Sequence, residues 1–153
     1  MYDRTVTVFN FYESETTGKA YWYPHVLKNV DLNLDRGEII KKYGPDSTDN
    51  AELHISYEID DETICITDGQ DKKLPWMSPK AWKSQTNDRL EKSITFGPND
   101  FFTWGEWPED IIEEDSYNDG FYHYLNSKKD YVFKITTVNG PYVVIPHFEI
   151  TGK

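Results

Sequence analysis

Four histidines, His25, His54, His123 and His147, and a single cysteine, Cys65, are the side chains of this 153-residue chain best suited to hold a metal or attack a substrate. A zinc site needs such ligands at short spacings or gathered by the fold. No histidine here has a second His or Cys at metal-ligand spacing, so each reads as a structural histidine, and no metal or cofactor is expected. Cys65 lies between two isoleucines in "ETICIT" without a basic neighbour to lower its pKa, the pattern of a buried, inert thiol. No serine occupies a glycine-flanked elbow, and no glycine-rich loop could cradle a phosphate. "DSTDNAE" and "DDETICITDGQD" supply acids without the glycine and glutamate positions of a calcium loop. Glu106 and Glu109 flank Trp107, and a glycosidase needs two such acids about 5 to 10 Å apart. Any chain this acidic offers similar pairs, and the reading is that of a protein that is not an enzyme.

Five tryptophans, Trp22, Trp76, Trp82, Trp104 and Trp107, stand beside Pro, Gly, Tyr or Ala rather than inside apolar runs. Such rings fill the ends of a small β core, anchor protein interfaces or form sugar platforms. Trp76, Trp104 and Trp107 are the candidate subunit or partner contacts, and Trp22 is left without an assigned side. The net charge of −11 argues against a protein built to grip nucleic acid, which needs Lys and Arg against phosphates. From residue 93 to residue 127 there is no Lys or Arg at all. Asp46, Asp49, Glu109, Asp110, Glu113, Glu114 and Asp115 are therefore the candidates for an acidic surface, solvated or facing a partner.

These residues must be positioned mostly by strands. "RTVTVFNFY" and "AYWYPHVLKNVDLN" alternate with period two around Gly18 and predict a β-hairpin. Alternation also puts Tyr21 and Tyr23 on one face and Trp22 on the other. Pro24 cannot donate to a ladder, which places this strand at an edge or bulges it near residues 22–25. "DRGEIIKKYGP" allows a turn or two of helix within a long connection at about 29–50. "AELHISYEI" and "ETICIT" predict paired strands with Leu53, Ile55 and Tyr57 on one face, and "MSPKAWKSQ" a short helix with Ser78 as N-cap. "SITF" and "DFFTWGEW" predict strands. "DSYNDGFYHYLNSK" predicts an amphipathic helix within an acidic insert at about 108–128, and "NGP" the turn of a terminal hairpin. The expectation is one mainly β domain over 1–153, a small barrel or sandwich of about eight strands with one or two short helices. The first residues lack a secretory pattern and no run spans a bilayer, which points to a protein kept in a cytoplasm.

The blocks "TVTVFN", "YWYPHVLKNVDL", "AELHISY", "SPKAW", "SITFGPNDFFTWGEW" and "VFKITTVNGPYVVIPHFEITGK", in that order, resemble small proteins encoded among the head and neck genes of tailed phages and prophages of Gram-positive bacteria. They are similar to head-closure, or stopper, proteins of the head–tail connector, from which the insert at 108–128 departs. The resemblance implies a β-barrel subunit of a virion, assembled in the host cytoplasm into a homo-oligomeric ring between portal and tail proteins. It also implies a channel passing double-stranded DNA without tight binding, where acids facing the lumen would repel phosphates. Two other readings stay open: an acidic phage-encoded inhibitor or DNA mimic that binds a host protein, and a carbohydrate-binding β module.

Overall fold

The computed structural model describes residues 2–34 and 51–153, and it is mainly β, with 49% strand and 15% helix. Strands β1 (Arg4–Glu13) and β2 (Ala20–Asn33) form the expected antiparallel hairpin. Pro24 lies opposite Phe9 with the register unbroken through residues 22–25. The bulge falls further along. Arg4 pairs with Val30 but Val6 with Leu27, which leaves one extra residue on β2, where Asn29 takes φ 59°. The far side of β2 meets other strands at its two ends, so Pro24 sits where no further ladder asks for its missing N–H.

The barrel is completed by β3 (Ala51–Ser56), β7 (Phe101–Trp104), β9 (Val132–Tyr142) and β10 (His147–Gly152). The order β1-β7-β9-β10-β3-β2 closes on itself through the β1–β2 pairing, giving a six-stranded antiparallel barrel, and β8 (Ile112–Glu113) adds to β2. A separate small sheet holds β4 (Glu58–Asp60), β5 (Thr63–Thr67) and β6 (Lys73–Pro75). The fold is thus the barrel of the two expected architectures. "AELHISYEI" does not run as one strand: it splits after Ser56, with β3 in the barrel and β4 paired to β5. Asp61 and Glu62, both at positive φ, make that tight turn.

Other expectations shift for identifiable reasons. "SITF" forms no strand but a single bridge, Trp76 to Ile94, because its residues are buried under the barrel end without a partner strand. The helix α1 (Pro79–Lys83) follows N-cap Ser78 as anticipated, whereas α2 (Asn87–Glu91) was not anticipated from the sequence pattern. The insert helix is shorter than its spacing implied. Glu114–Ser116 is a 3-10 turn and α3 (Phe121–Lys128) begins only after Gly120, whose φ of 88° ends the earlier segment. In the terminal hairpin "NGP" lies inside β9, and the chain reverses at 143–146 instead. The helix expected in "DRGEIIKKYGP" and most of the long connection lie outside the described residues.

Alternation fills the barrel. Val6, Val8, Leu27, Leu53, Ile55, Phe102, Phe133, Phe148 and Ile150 point inward and are buried together. The opposite face of β1 and β7 is covered too, since Phe9, Trp22, Phe101 and Val132 pack against Phe121 and Leu125 of α3. Tyr23, with Tyr21 beside it, packs instead on Trp82 and Leu90 of the short helices, so adjacent rings of "YWY" serve opposite faces. Cys65 is buried, and burial pushes its thiol pKa up. Among the described residues no helix is long and apolar enough to cross a membrane.

Candidate functional site

The tryptophans lie within the packing of the chain itself. Trp22 is buried, and its Nε1 donates to Glu114 Oε1 at 3.0 Å. Trp82 is fully buried, with its Nε1 donating to the Ser93 carbonyl at 3.4 Å. The three candidate contacts are each half-buried. Trp104 ends β7 with the Arg4 guanidinium 4.9 Å above its ring and Tyr131 at 5.1 Å. Trp107 packs 5.9 Å from Phe121 beneath Lys129, and Trp76 packs 5.1 Å from Phe148 in the barrel core.

The acidic candidates divide in two. Asp110, Glu113 and Asp115 are exposed, while Glu109 and Glu114 turn inward to hold the insert on the barrel. The Glu109 carboxylate accepts the Val26 N–H of β2 at 3.1 Å, and burial raises its pKa. Glu114 Oε1 accepts both Trp22 Nε1 and, at 2.7 Å, the Phe121 N–H. It thereby caps α3 from outside, placing negative charge at the helix N-terminus. A Cβ on Gly120 would stand 3.0 Å from that same oxygen, which gives this glycine a second reason to be there. Asp46 and Asp49 lie outside the described residues. Glu114→Ala strips two donors of their acceptor and is expected to cost about 1–3 kcal/mol in urea unfolding, with Glu114→Gln recovering part of it. Equal midpoints for wild type and the alanine variant would contradict this role.

The most exposed apolar feature is one the sequence pattern did not single out. At the β9–β10 tip Tyr142, Val143, Val144 and Ile145 are 41%, 74%, 94% and 71% exposed. Valine and isoleucine favour strands, so the run reads as strand until the register shows that it is the turn. Its base is firmly tied: Tyr57 Oη donates to the Tyr142 carbonyl at 2.6 Å, and the His147 ring stacks 4.9 Å from that of Tyr142. Four consecutive large apolar side chains are thus held out in water on a fixed base, whereas exposed apolar residues are ordinarily scattered singly.

A family model matches the chain over residues 1–153. The chain belongs to DUF6751, a family of unknown function. No curated protein and no solved structure matches it. In this DUF6751 chain the fold also rearranges the histidines, which the sequence presents as isolated. His25 is sealed inside, where burial lowers its pKa to about 4 and leaves its Nε2 without a hydrogen-bond partner. His54 and His147, 93 positions apart in the numbering, bring their rings to 5.8 Å of one another on the outer face of the DUF6751 barrel. The signal for this was present in "ELH" and "HFE". On a strand, two residues separated by one share a face, so each tripeptide puts an acid and an imidazole on the same side.

Proposed function

We propose that this DUF6751 protein is a structural subunit of the head–tail junction of a tailed phage and joins neighbouring virion proteins through its β9–β10 tip. The observation that carries the reading is the exposed run from Tyr142 to Ile145 on its tied base. Burying such a run against a neighbour removes apolar surface from water, the main favourable term in association. The resemblance of six sequence blocks to head-closure proteins supports the same assignment. The partner is another copy of this chain within a ring, and exposed Asp110, Glu113 and Asp115 keep any DNA-facing surface from adhering to phosphates.

Light scattering after size exclusion, then negative-stain imaging with and without the portal-side and tail-side proteins encoded beside it, tests the proposal. Rings containing this chain are expected. Val144→Asp places a charge where apolar contact is needed and is expected to weaken ring assembly roughly tenfold or more. Its thermal midpoint should stay at the wild-type value, because Val144 touches solvent in the free chain. Rings that form equally well with aspartate there, or virions that lack the chain, would remove the reading.

A further inference from the structure

Strands β3 and β10 run antiparallel, with Glu149 opposite His54 and His147 opposite Ser56. Their intervening residues Leu53, Ile55, Phe148 and Ile150 are buried in the barrel, which forces Glu52, His54, His147 and Glu149 to its outer face. Among the described residues this is the one place where three His, Cys, Asp or Glu side chains, here His54, His147 and Glu149, can bring ligand atoms within 4.8 Å of one another. Glu52 adds a carboxylate oxygen 2.8 Å from His54 Nε2.

The hydrogen bonds of His147 fix which ring nitrogen faces the cluster. Its Nδ1 lies 2.5 Å from the Ile145 carbonyl, and a carbonyl can only accept, so Nδ1 carries the hydrogen. In the neutral ring Nε2 then presents a lone pair, and 3.3 Å in front of it stands Glu149 Oε1, another acceptor. An unprotonated Nε2 and the Glu149 oxygen both offer lone pairs to the same space, which a cation can bridge as a proton on Nε2 would. A metal-ligating histidine characteristically donates its other N–H to a carbonyl or carboxylate, the arrangement His147 already has.

We propose that His54, His147 and Glu149 form a binding site for a divalent transition-metal ion of the zinc type, with Glu52 orienting the His54 ring. Two imidazoles and one carboxylate suit zinc, and the remaining coordination position stays open to water or to a donor from a partner. Metal–ligand bonds of about 2.0–2.2 Å set tetrahedral ligand atoms about 3.4 Å apart. The His147 Nε2–Glu149 Oε1 separation of 3.3 Å is close to that value, and the distances to His54, within 4.8 Å, must shorten by rotation of its ring when the ion binds. Each of the three side chains is partly exposed, which leaves the ion a path from solvent.

The test uses the full chain, stripped with a chelator and titrated with zinc by calorimetry and by competition against a fluorescent indicator. Saturable binding of one ion with a dissociation constant below roughly 10 µM is expected, weakening as the solution is acidified because imidazole ligands bind unprotonated. His54→Ala and His147→Ala should each weaken binding at least about 100-fold, and Glu149→Gln about tenfold or more. His123→Ala, at an exposed position of α3, should leave it unchanged. Circular dichroism of the metal-free variants checks that they are folded. Cobalt in place of zinc should give the visible ligand-field bands of a four- or five-coordinate site, and these should vanish in His147→Ala. Binding weaker than roughly 10 µM, or affinity retained in the folded double variant lacking both histidines, overturns the assignment.

Discussion

Asp100→Ala is expected to lower folding stability by about 3–5 kcal/mol in urea unfolding near pH 5, and by less toward pH 7. Its carboxylate is buried and accepts three hydrogen bonds: Phe11 N–H at 2.8 Å, Gly97 N–H at 2.9 Å and Asn10 Nδ2 at 3.2 Å. Asn10 in turn donates to the Thr95 carbonyl at 2.7 Å and accepts the Thr95 N–H at 3.3 Å. One side chain therefore ties β1 to the loop that leads into β7. Alanine leaves the Phe11 and Gly97 N–H groups without this acceptor and Asn10 Nδ2 with the Thr95 carbonyl alone, and each buried donor left unmatched costs on the order of 1–3 kcal/mol. Asparagine is no full remedy, because backbone N–H groups address both carboxylate oxygens and one of them would meet an NH2 group.

The same group gives the experiment a pH signature. Burial lifts the Asp100 pKa to about 7 from 3.8, against the pull of its three donors. Between pH 3.8 and about 7 the unfolded chain releases this proton while the folded chain keeps it. The stability linked to Asp100 is thus complete at the acid end of that window and declines by about 4 kcal/mol as pH rises through it. His25 has the opposite slope. Its pKa falls from 6.5 to about 4 on burial, so its share is complete above pH 6.5 and is lost toward pH 4. That loss is about 3 kcal/mol. In the wild type the two slopes oppose each other, and Glu109, also raised by burial, adds to the declining side. Asp100→Ala removes the Asp100 slope alone, so the difference in stability between wild type and variant should shrink from about pH 4.5 to 6.5. Parallel pH profiles for the two proteins would show that Asp100 is not held protonated by burial.

Phe148→Ala is expected to cost a similar amount, about 3–5 kcal/mol. The ring is fully buried on β10 and meets Trp76 at 5.1 Å, Phe96 at 5.2 Å and Tyr57 at 5.4 Å. Those three rings come from the end of the small sheet, the segment before β7 and the junction of β3 with β4. Removing Phe148 opens a cavity where the end of the small sheet, the segment before β7 and the β3–β4 junction meet in one core. Phe148→Leu keeps most of the volume and should cost less than about 2 kcal/mol. Near-UV circular dichroism should report the loosened Trp76 in the alanine variant before the barrel unfolds. A cost under about 1 kcal/mol would mean that the small sheet and the barrel do not depend on this contact.

How much of this was legible from the residues depends on where the physics is local. The β1–β2 hairpin could be read because alternation and Gly18 act within a few positions. The opposed faces of Tyr21, Trp22 and Tyr23 followed from strand geometry alone. "NGP" misled because Gly140 and Pro141 sit within β9 beside the register shift toward His147, while the true reversal is built from Val143, Val144 and Ile145 with Pro146 as its one turn residue. "SITF" has the composition of a strand, but its backbone finds only a bridge at Trp76. Of the acids, nothing local separates Glu114, which reaches Trp22 across 92 positions, from exposed Asp115 beside it. The pairing of His54 with His147 depends on β10 lying against β3, a contact between distant segments. Periodicity supplied each half of that cluster, and only the barrel's strand order supplied the whole.

Closure of the six strands has one further consequence. A sheet that rejoins itself has no terminal strand with its whole outer edge open to a foreign chain. The margins still open in the described strands include the middle of β2, which carries Pro24, and short pieces such as the two-residue β8 and the three-residue β4 and β6. The greasy tip therefore belongs to a turn and not to an open strand edge, so neighbours that meet it there do so through side chains and not by extending its backbone ladder.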